Sequence, residues 1–252
     1  GAESIGILSS IILPPETEEQ DLRRIMSELE QACDELQIEI LGGHTEVSDA
    51  VNRPVITVTG VGKVARGDLL STGGMQPGDE LVMTKWAGLE GSAIIAAEKR
   101  DVLEQTLPAH LIDTAESFLK HISVVPEAKI AMQHGVHAMH DVTEGGIFGA
   151  LWEMGAASGV GIVADLDKIP IRQETIELCE VFDINPYLLI SSGCMLIGCE
   201  NGNLLVERLQ EAGIPAAVIG RATEGNDRVI RSGEETRFLE PAGSDELYKI
   251  YE

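Results

Sequence analysis

The chain has 252 residues, with 42 Asp and Glu against 18 Lys and Arg, for a formal net charge of −24. That balance excludes nucleic acid as a partner, because the bases are scattered and no basic footprint exists to neutralise phosphates. No signal segment or bilayer-length apolar run is visible, so the expected location is cytoplasmic and away from the membrane.

In chain order, residues 4–13 read as an apolar strand stopped by Pro14-Pro15. Gly1 in place of Met, so close to that strand, reads as a missing natural start. Thr17 with Gln20 gives a capping box, and Leu22, Ile25, Met26, Leu29, Cys33 and Leu36 recur at helical spacing to about residue 37. Residues 38–41 form a second strand ending at Gly42-Gly43, and Pro54–Gly62 a third with alternating Val and Thr. This is an α+β half-domain that leaves one apolar sheet face to be covered by missing residues or another subunit.

Residues 65–79 are rich in turn formers and place a domain boundary, giving domains 1–65 and 77–252. Beyond it come a strand at 80–85, helices at Ser92–Lys99, 105–120 and 126–134, and a strand from 135 that ends on Asp141. A helix follows Asp141, then a strand at 161–164, a helix at 172–181 and a core strand at 193–199. A helix at 203–212 and strands at 216–219 and 228–230 complete a mixed α/β domain.

Three glycine-bearing turns carry the chemistry. In Asp141-Val142-Thr143-Glu144-Gly145-Gly146, a strand ends on an acid and a helix begins at two glycines, with Thr143 as N-cap. Exposed N–H groups and the helix dipole favour an anion there, and Asp141 suits its counter-cation. Gly42-Gly43-His44-Thr45-Glu46 sits at another strand end, and Gly88 to Gly91 before Ser92 forms a third turn. Taken in isolation, each of the three is more simply read as an ordinary capped turn. His134, His137 and His140 recur every three residues, but the last two lie on a strand and read as surface groups rather than zinc ligands. Cys33, Cys179, Cys194 and Cys199 read as buried, reduced thiols, and the Glu16–Glu19 and Glu234-Glu235 runs as solvated faces.

Taken in order, these segments resemble the AIR synthase-related (PurM-like) superfamily, and within it the hydrogenase maturation factor HypE-like proteins. The opening Gly1-Ala2 strand, Gly42-Gly43-His44-Thr45, Pro77-Gly78-Asp79, the Asp141–Gly146 turn and Ile219-Gly220-Arg221-Ala222 carry the resemblance. It implies a PurM-like α+β fold: an N-terminal domain whose sheet pairs in a homodimer, and a C-terminal mixed α/β domain. It also implies ATP and Mg²⁺ near the domain interface. Gly42, Gly43, His44, Thr45, Gly88, Gly91, Gly145 and Gly146 match cofactor-binding positions, and Asp141 and Glu46 are the metal candidates. The substrate is a small molecule or protein-borne group whose carbonyl or amide oxygen is phosphorylated.

Three departures stand out. The family's segment with paired acids is absent before Gly1. His44 replaces the family's metal-binding Asp, leaving Glu46 to compensate. HypE acts through a C-terminal cysteine, and no cysteine follows Cys199. These departures favour an alternative, a non-catalytic nucleotide-binding or scaffold relative that kept the fold.

Overall fold

The computed structural model describes residues 1–241 and 243–251, and two compact units emerge, Gly1–Leu69 and Leu70–Glu252. In the first, β1 (Glu3–Leu13), α1 (Glu19–Leu36), β2 (Glu39–Val47) and β3 (Val55–Lys63) build a sheet of order β2-β1-β3. β1 runs parallel to β2, so a crossover is required, and α1 supplies it. The helix starts one residue later than the sequence suggests. Glu18 caps it and boxes with Asp21, while Gln20 turns its side chain back to Glu18. Acids this close to the N-terminus also complement the helix dipole. Ile7, Ile11, Leu13 and Cys33 form the small core of this unit.

β2 does not end at Gly42-Gly43; it continues to Val47, paired with β1 from Leu8↔Gly42 to Leu13↔Val47. The glycines belong to the ladder itself. They sit at φ 155° and 153°, and a Cβ on Gly43 would lie 1.9 Å from the Ser9 carbonyl oxygen. They let two parallel strands approach closely where the register shifts between Ile7 and Leu8.

The second unit holds a seven-stranded sheet of order β10-β9-β6-β8-β4-β7-β5. Its strands are β4 (Glu80–Thr84), β5 (Ala138–Asp141), β6 (Gly161–Asp165), β7 (Met195–Cys199), β8 (Ala216–Thr223), β9 (Arg228–Ser232) and β10 (Glu235–Phe238). The helices are α2 (Leu89–Glu98), α3 (Arg100–Leu103), α4 (Ala109–Glu116), α5 (Val125–Met132), α6 (Gly146–Ser158), α7 (Gln173–Phe182) and α8 (Gly202–Glu211).

Side chains alternating along β4 and β7 enter two cores. Leu81, Met83 and Leu196 pack with Leu89, Ile147, Leu151 and Leu178 on one face. Val82 and Ile197 pack with Ala131, Leu205 and Leu209 on the other. Burial on both faces is why these strands read as unbroken apolar runs.

Gly88, at φ 68°, is the N-cap of α2, so Gly91 and Ser92 fall inside the helix rather than in a loop before it. The helix expected over 105–120 splits into α4, which starts after Pro108, and a 3-10 turn at Ser117–His121. Gly145, not Thr143, caps α6. β10 and the 3-10 segment Glu246–Tyr251 gave no periodic signal and were not anticipated. Among the described residues no helix is long and apolar enough to cross a membrane.

Candidate functional site

The β4–α2 and β5–α6 turns both end in glycine, and both close onto the segment 185–194. Gly88 N donates to Ser191 Oγ at 2.7 Å, and Gly91 N to the Ile190 carbonyl at 2.9 Å. A Cβ on Gly91 would meet the Leu189 side chain at 2.4 Å. Gly145 N donates to Asp245 Oδ2 at 2.7 Å, and Gly146 N to the Thr143 carbonyl at 3.1 Å. A Cβ on Gly146, at φ +59°, would come within 2.6 Å of the Tyr187 carbonyl oxygen. Phe148 stacks on Tyr187 at 5.3 Å and fixes the same segment from the side. The amides of Gly88, Gly91, Gly145 and Gly146, four of the eight positions matched to cofactor binding, are therefore engaged within the chain.

The anion at the α6 N-terminus is Asp245, only 4% exposed. Its two oxygens accept from Gly145 N, Ile190 N at 3.2 Å and Leu247 N at 2.8 Å. A carboxylate with backbone donors at the positive end of a helix is well stabilised.

Lys85 anchors the other end of the segment. It follows β4 at φ 54°, and its Nζ donates to the carbonyls of His121 (2.7 Å), Ser123 (2.7 Å) and Gly193 (2.9 Å). Glu127 Oε1, in the first turn of α5, lies 2.6 Å from the same nitrogen. Glu127 is 1% exposed, and its Oε2 has no hydrogen-bond partner among the described residues. Sequence reasoning passed over Lys85, Glu127, Ser191 and Asp245. The available signal was a lysine ending the apolar run Leu81–Thr84, since a fully buried lysine is nearly always paired.

Asp141 ends β5 opposite Met195 and is exposed, and its carboxylate makes no hydrogen bond or ion pair among the described residues. No three His, Cys, Asp or Glu residues gather into a metal cluster among the described residues. Mg²⁺ does not require one, because it takes one or two carboxylates and completes its shell with water and phosphate oxygens. A free Asp141 carboxylate fits that partial role. In the first unit, His44 and Glu46 are exposed on β2, with Nε2 3.5 Å from Oε2. β2 is an edge strand, so the backbone groups it turns away from β1 remain open.

His137 Nδ1 lies 2.9 Å from both oxygens of buried Asp79, and His140 bridges Glu153 Oε2 (2.9 Å) and Thr72 Oγ1 (3.1 Å). Both histidines are thus partly buried structural pairs, not solvent-edge groups.

All four cysteines are free and buried. Burial pushes the thiols of Cys179 and Cys194 up to about 12 and that of Cys199 to about 11. Folded-state values raised above the unfolded thiol leave this contribution intact below about pH 9 and erode it as pH climbs toward 11–12. Urea midpoints are therefore expected to be level between pH 7 and 8.5 and to fall at pH 10.5. A flat profile would mean the thiols ionise freely in the folded state.

A small helix-backed sheet followed by a seven-stranded mixed sheet, with strand–glycine–helix turns closing on one segment, defines a PurM-like α/β protein. The family models agree. The AIR synthase related protein N-terminal domain matches residues 1–64 and the C-terminal domain matches residues 76–232. The chain belongs to the AIR synthase related family.

It is 29% identical over 234 residues to a putative hydrogenase expression/formation protein of Methanocaldococcus jannaschii, covering 91% of this chain and 68% of that one. It is 27% identical over 237 residues to the carbamoyl dehydratase HypE of Rhodobacter capsulatus, covering 92% and 67%. The chain thus spans about two thirds of these relatives' length. A crystal structure of the hydrogenase maturation protein HypE in complex with ATP superposes with a TM-score of 0.79 at 19% identity, over 99% of this chain and 76% of that one.

Proposed function

We propose that this chain is an ATP- and Mg²⁺-dependent PurM-like enzyme that activates a carbonyl or amide oxygen of its substrate by phosphorylation. The carrying observation is the uncommitted Asp141 carboxylate at the β5–α6 turn of a chain that matches both family domains in order. Relatives named carbamoyl dehydratase, and a related structure holding ATP, support the reaction class.

In this reading the substrate oxygen takes the γ-phosphoryl group and ADP leaves; cleavage of the carbon–oxygen bond then expels inorganic phosphate, a better leaving group than hydroxide. Mg²⁺, once bound, would supply charge neutralisation for the transferring phosphate. Asp141 would hold the metal in the second unit, and Glu46 is the candidate carboxylate of the first unit. The backbone groups that Gly42, Gly43, His44 and Thr45 turn away from β1, on edge strand β2, would bind phosphate. Residues 1–65 and 77–252 are its two domains, and buried, reduced thiols suit a cytoplasmic location.

Calorimetric titration with ATP tests this directly. Binding is expected to require Mg²⁺ and to weaken by about tenfold or more in Asp141→Ala. Equal affinity of the variant for Mg–ATP would remove Asp141 from the site.

A second reading, a nucleotide-binding or scaffold relative without chemistry, is favoured by the engaged amides of Gly88, Gly91, Gly145 and Gly146. Saturable binding with no phosphate release across candidate amide substrates would select it.

The homodimer proposal rests on exposed apolar side chains of the three-stranded sheet. Leu8, Val55, Ile56 and Val58 are 42–47% exposed, and Val47 is 60% exposed. A sheet this small with so much open apolar surface calls for a partner. Light scattering at micromolar concentration is expected to give twice the chain mass, and Leu8→Lys with Val55→Lys, on the face turned away from Ile11, to give the monomer. A parent protein that is itself monomeric would end the dimer proposal.

A further inference from the structure

The second sheet is not fully covered. Val82 and Ile197 are roofed by α5 and α8, but that core takes no residue from β6, β9 or β10 among the described residues. On the same face, strand register sets Glu80 opposite Arg221, Arg221 opposite Val163, Val163 opposite Val229, and Val229 opposite Phe238. Arg231 stands opposite Asp165 one step along. The face is an open groove of about 450 Å³ whose lining includes Arg221, Arg231, Lys168, Glu80 and Asp165. That volume lies within the usual range of ligand sites.

Charge is what distinguishes this groove. In a chain of net charge −24, arginines would be expected to find carboxylates. Yet neither the Arg221 nor the Arg231 guanidinium has an ion pair or side-chain hydrogen bond among the described residues. Each of the two acids beside them has one oxygen engaged by another donor. Glu80 Oε2 accepts from Gly202 N at 2.7 Å, and Asp165 Oδ2 from Lys168 Nζ at 2.7 Å. Two planar, always-charged forks therefore face one concavity with their donors unused, the arrangement that suits tetrahedral oxyanions.

We propose that this groove binds the phosphate or pyrophosphate group of a small molecule, at a site separate from the Asp141 turn. Arg221 and Arg231 are its binding residues. Phe238, 71% exposed at the end of the same row, offers a surface for an attached ring.

The test is titration of the full chain with pyrophosphate, inorganic phosphate and AMP in metal-free buffer containing EDTA. These conditions leave the Mg–ATP reading untouched. Saturable pyrophosphate binding is expected, weakened about tenfold in Arg221→Gln and in Arg231→Gln. Arg237→Gln removes the same charge from the opposite face, since Arg237 pairs with Ile230, and is expected to bind as the parent does. Equal weakening in all three variants would reduce the effect to net charge and overturn the site, as would the absence of saturable binding. AMP binding tighter than phosphate and sensitive to Phe238→Ala would identify a nucleotide; equal binding would identify a phosphate on a non-aromatic carrier. Thermal midpoints of the glutamine variants are expected to match the parent, because the side chains are exposed.

Discussion

Lys85→Met is expected to destabilise the Leu70–Glu252 unit by about 3–5 kcal/mol, read from the urea midpoint at constant slope. The ammonium has three protons for four oxygens within 2.9 Å, three carbonyls and one carboxylate, and all lie in the interior. Methionine fills the space of the stem but leaves Glu127 as an unpaired buried charge and strips donors from His121, Ser123 and Gly193. Glu127→Gln removes less, because lysine keeps its three carbonyls; its cost is expected to be about 1–3 kcal/mol. The double variant Lys85→Met with Glu127→Leu is expected to recover part of the loss, since a buried pair replaced by apolar groups can be near neutral. It cannot recover all of it, because the carbonyls stay unsatisfied. A cost below about 1 kcal/mol for Lys85→Met would show that water replaces the ammonium freely. Cys194 gives a second readout. It follows the anchored Gly193, donates to the Trp86 carbonyl and is fully buried. Its reaction with a disulfide reagent is expected to accelerate in Lys85→Met and to stay slow in the parent.

The parts of this architecture that showed in the sequence are those with local causes. β4 and β7 carry apolar runs because both faces are buried, β1 is rich in Ile and Leu because one face is, and α1 carries the 3.6-residue period of a half-buried helix. The glycine pairs also showed, but not what they do. A glycine marks a place where something approaches the backbone closely; sequence does not say whether a phosphate or another strand does so. At Gly43 the neighbour is Ser9, at Gly91 it is Leu189, and at Gly146 it is the Tyr187 carbonyl. Each contact joins residues far apart in the chain, and no local pattern encodes such a pairing. The Lys85–Glu127 pair and the Asp245 contacts escaped for the same reason, spanning 42 and 100 positions. Asp141 remained legible because it ends a strand before a helix, a purely local arrangement. The cap of α1 shows a smaller limit. Thr17-Glu18-Glu19-Gln20-Asp21 offers two overlapping capping boxes, and the one whose acid reaches back to the cap N–H prevails.

Asp245→Asn is expected to cost about 2–4 kcal/mol, although it changes one atom. The carboxylate accepts on both oxygens, one from Gly145 N and the other from Ile190 N and Leu247 N. An amide must place its NH₂ against one of these donors, so whichever way it turns a donor faces a donor. The loss includes charge-assisted bonds and the interaction with the α6 dipole. Because Leu247 and the Glu246–Asn185 contact belong to the same 3-10 segment, amide exchange is expected to speed up at Gly145, Ile190 and Leu247 together. Acceleration at Leu247 alone would mean that Asp245 holds only its own turn.

The same variant separates two roles for Gly145. If its N–H serves the chain, Asp245→Asn leaves Mg–ATP affinity as it was, and that is the expected result. If the carboxylate instead occupies a phosphate position, freeing the amide would tighten Mg–ATP binding by about tenfold, the worth of one charge-assisted bond. The nucleotide would then have to be placed against α6 as well as Asp141. Asp245 is thus the residue at which the stability of the unit and the location of its phosphate donors can be measured in one protein.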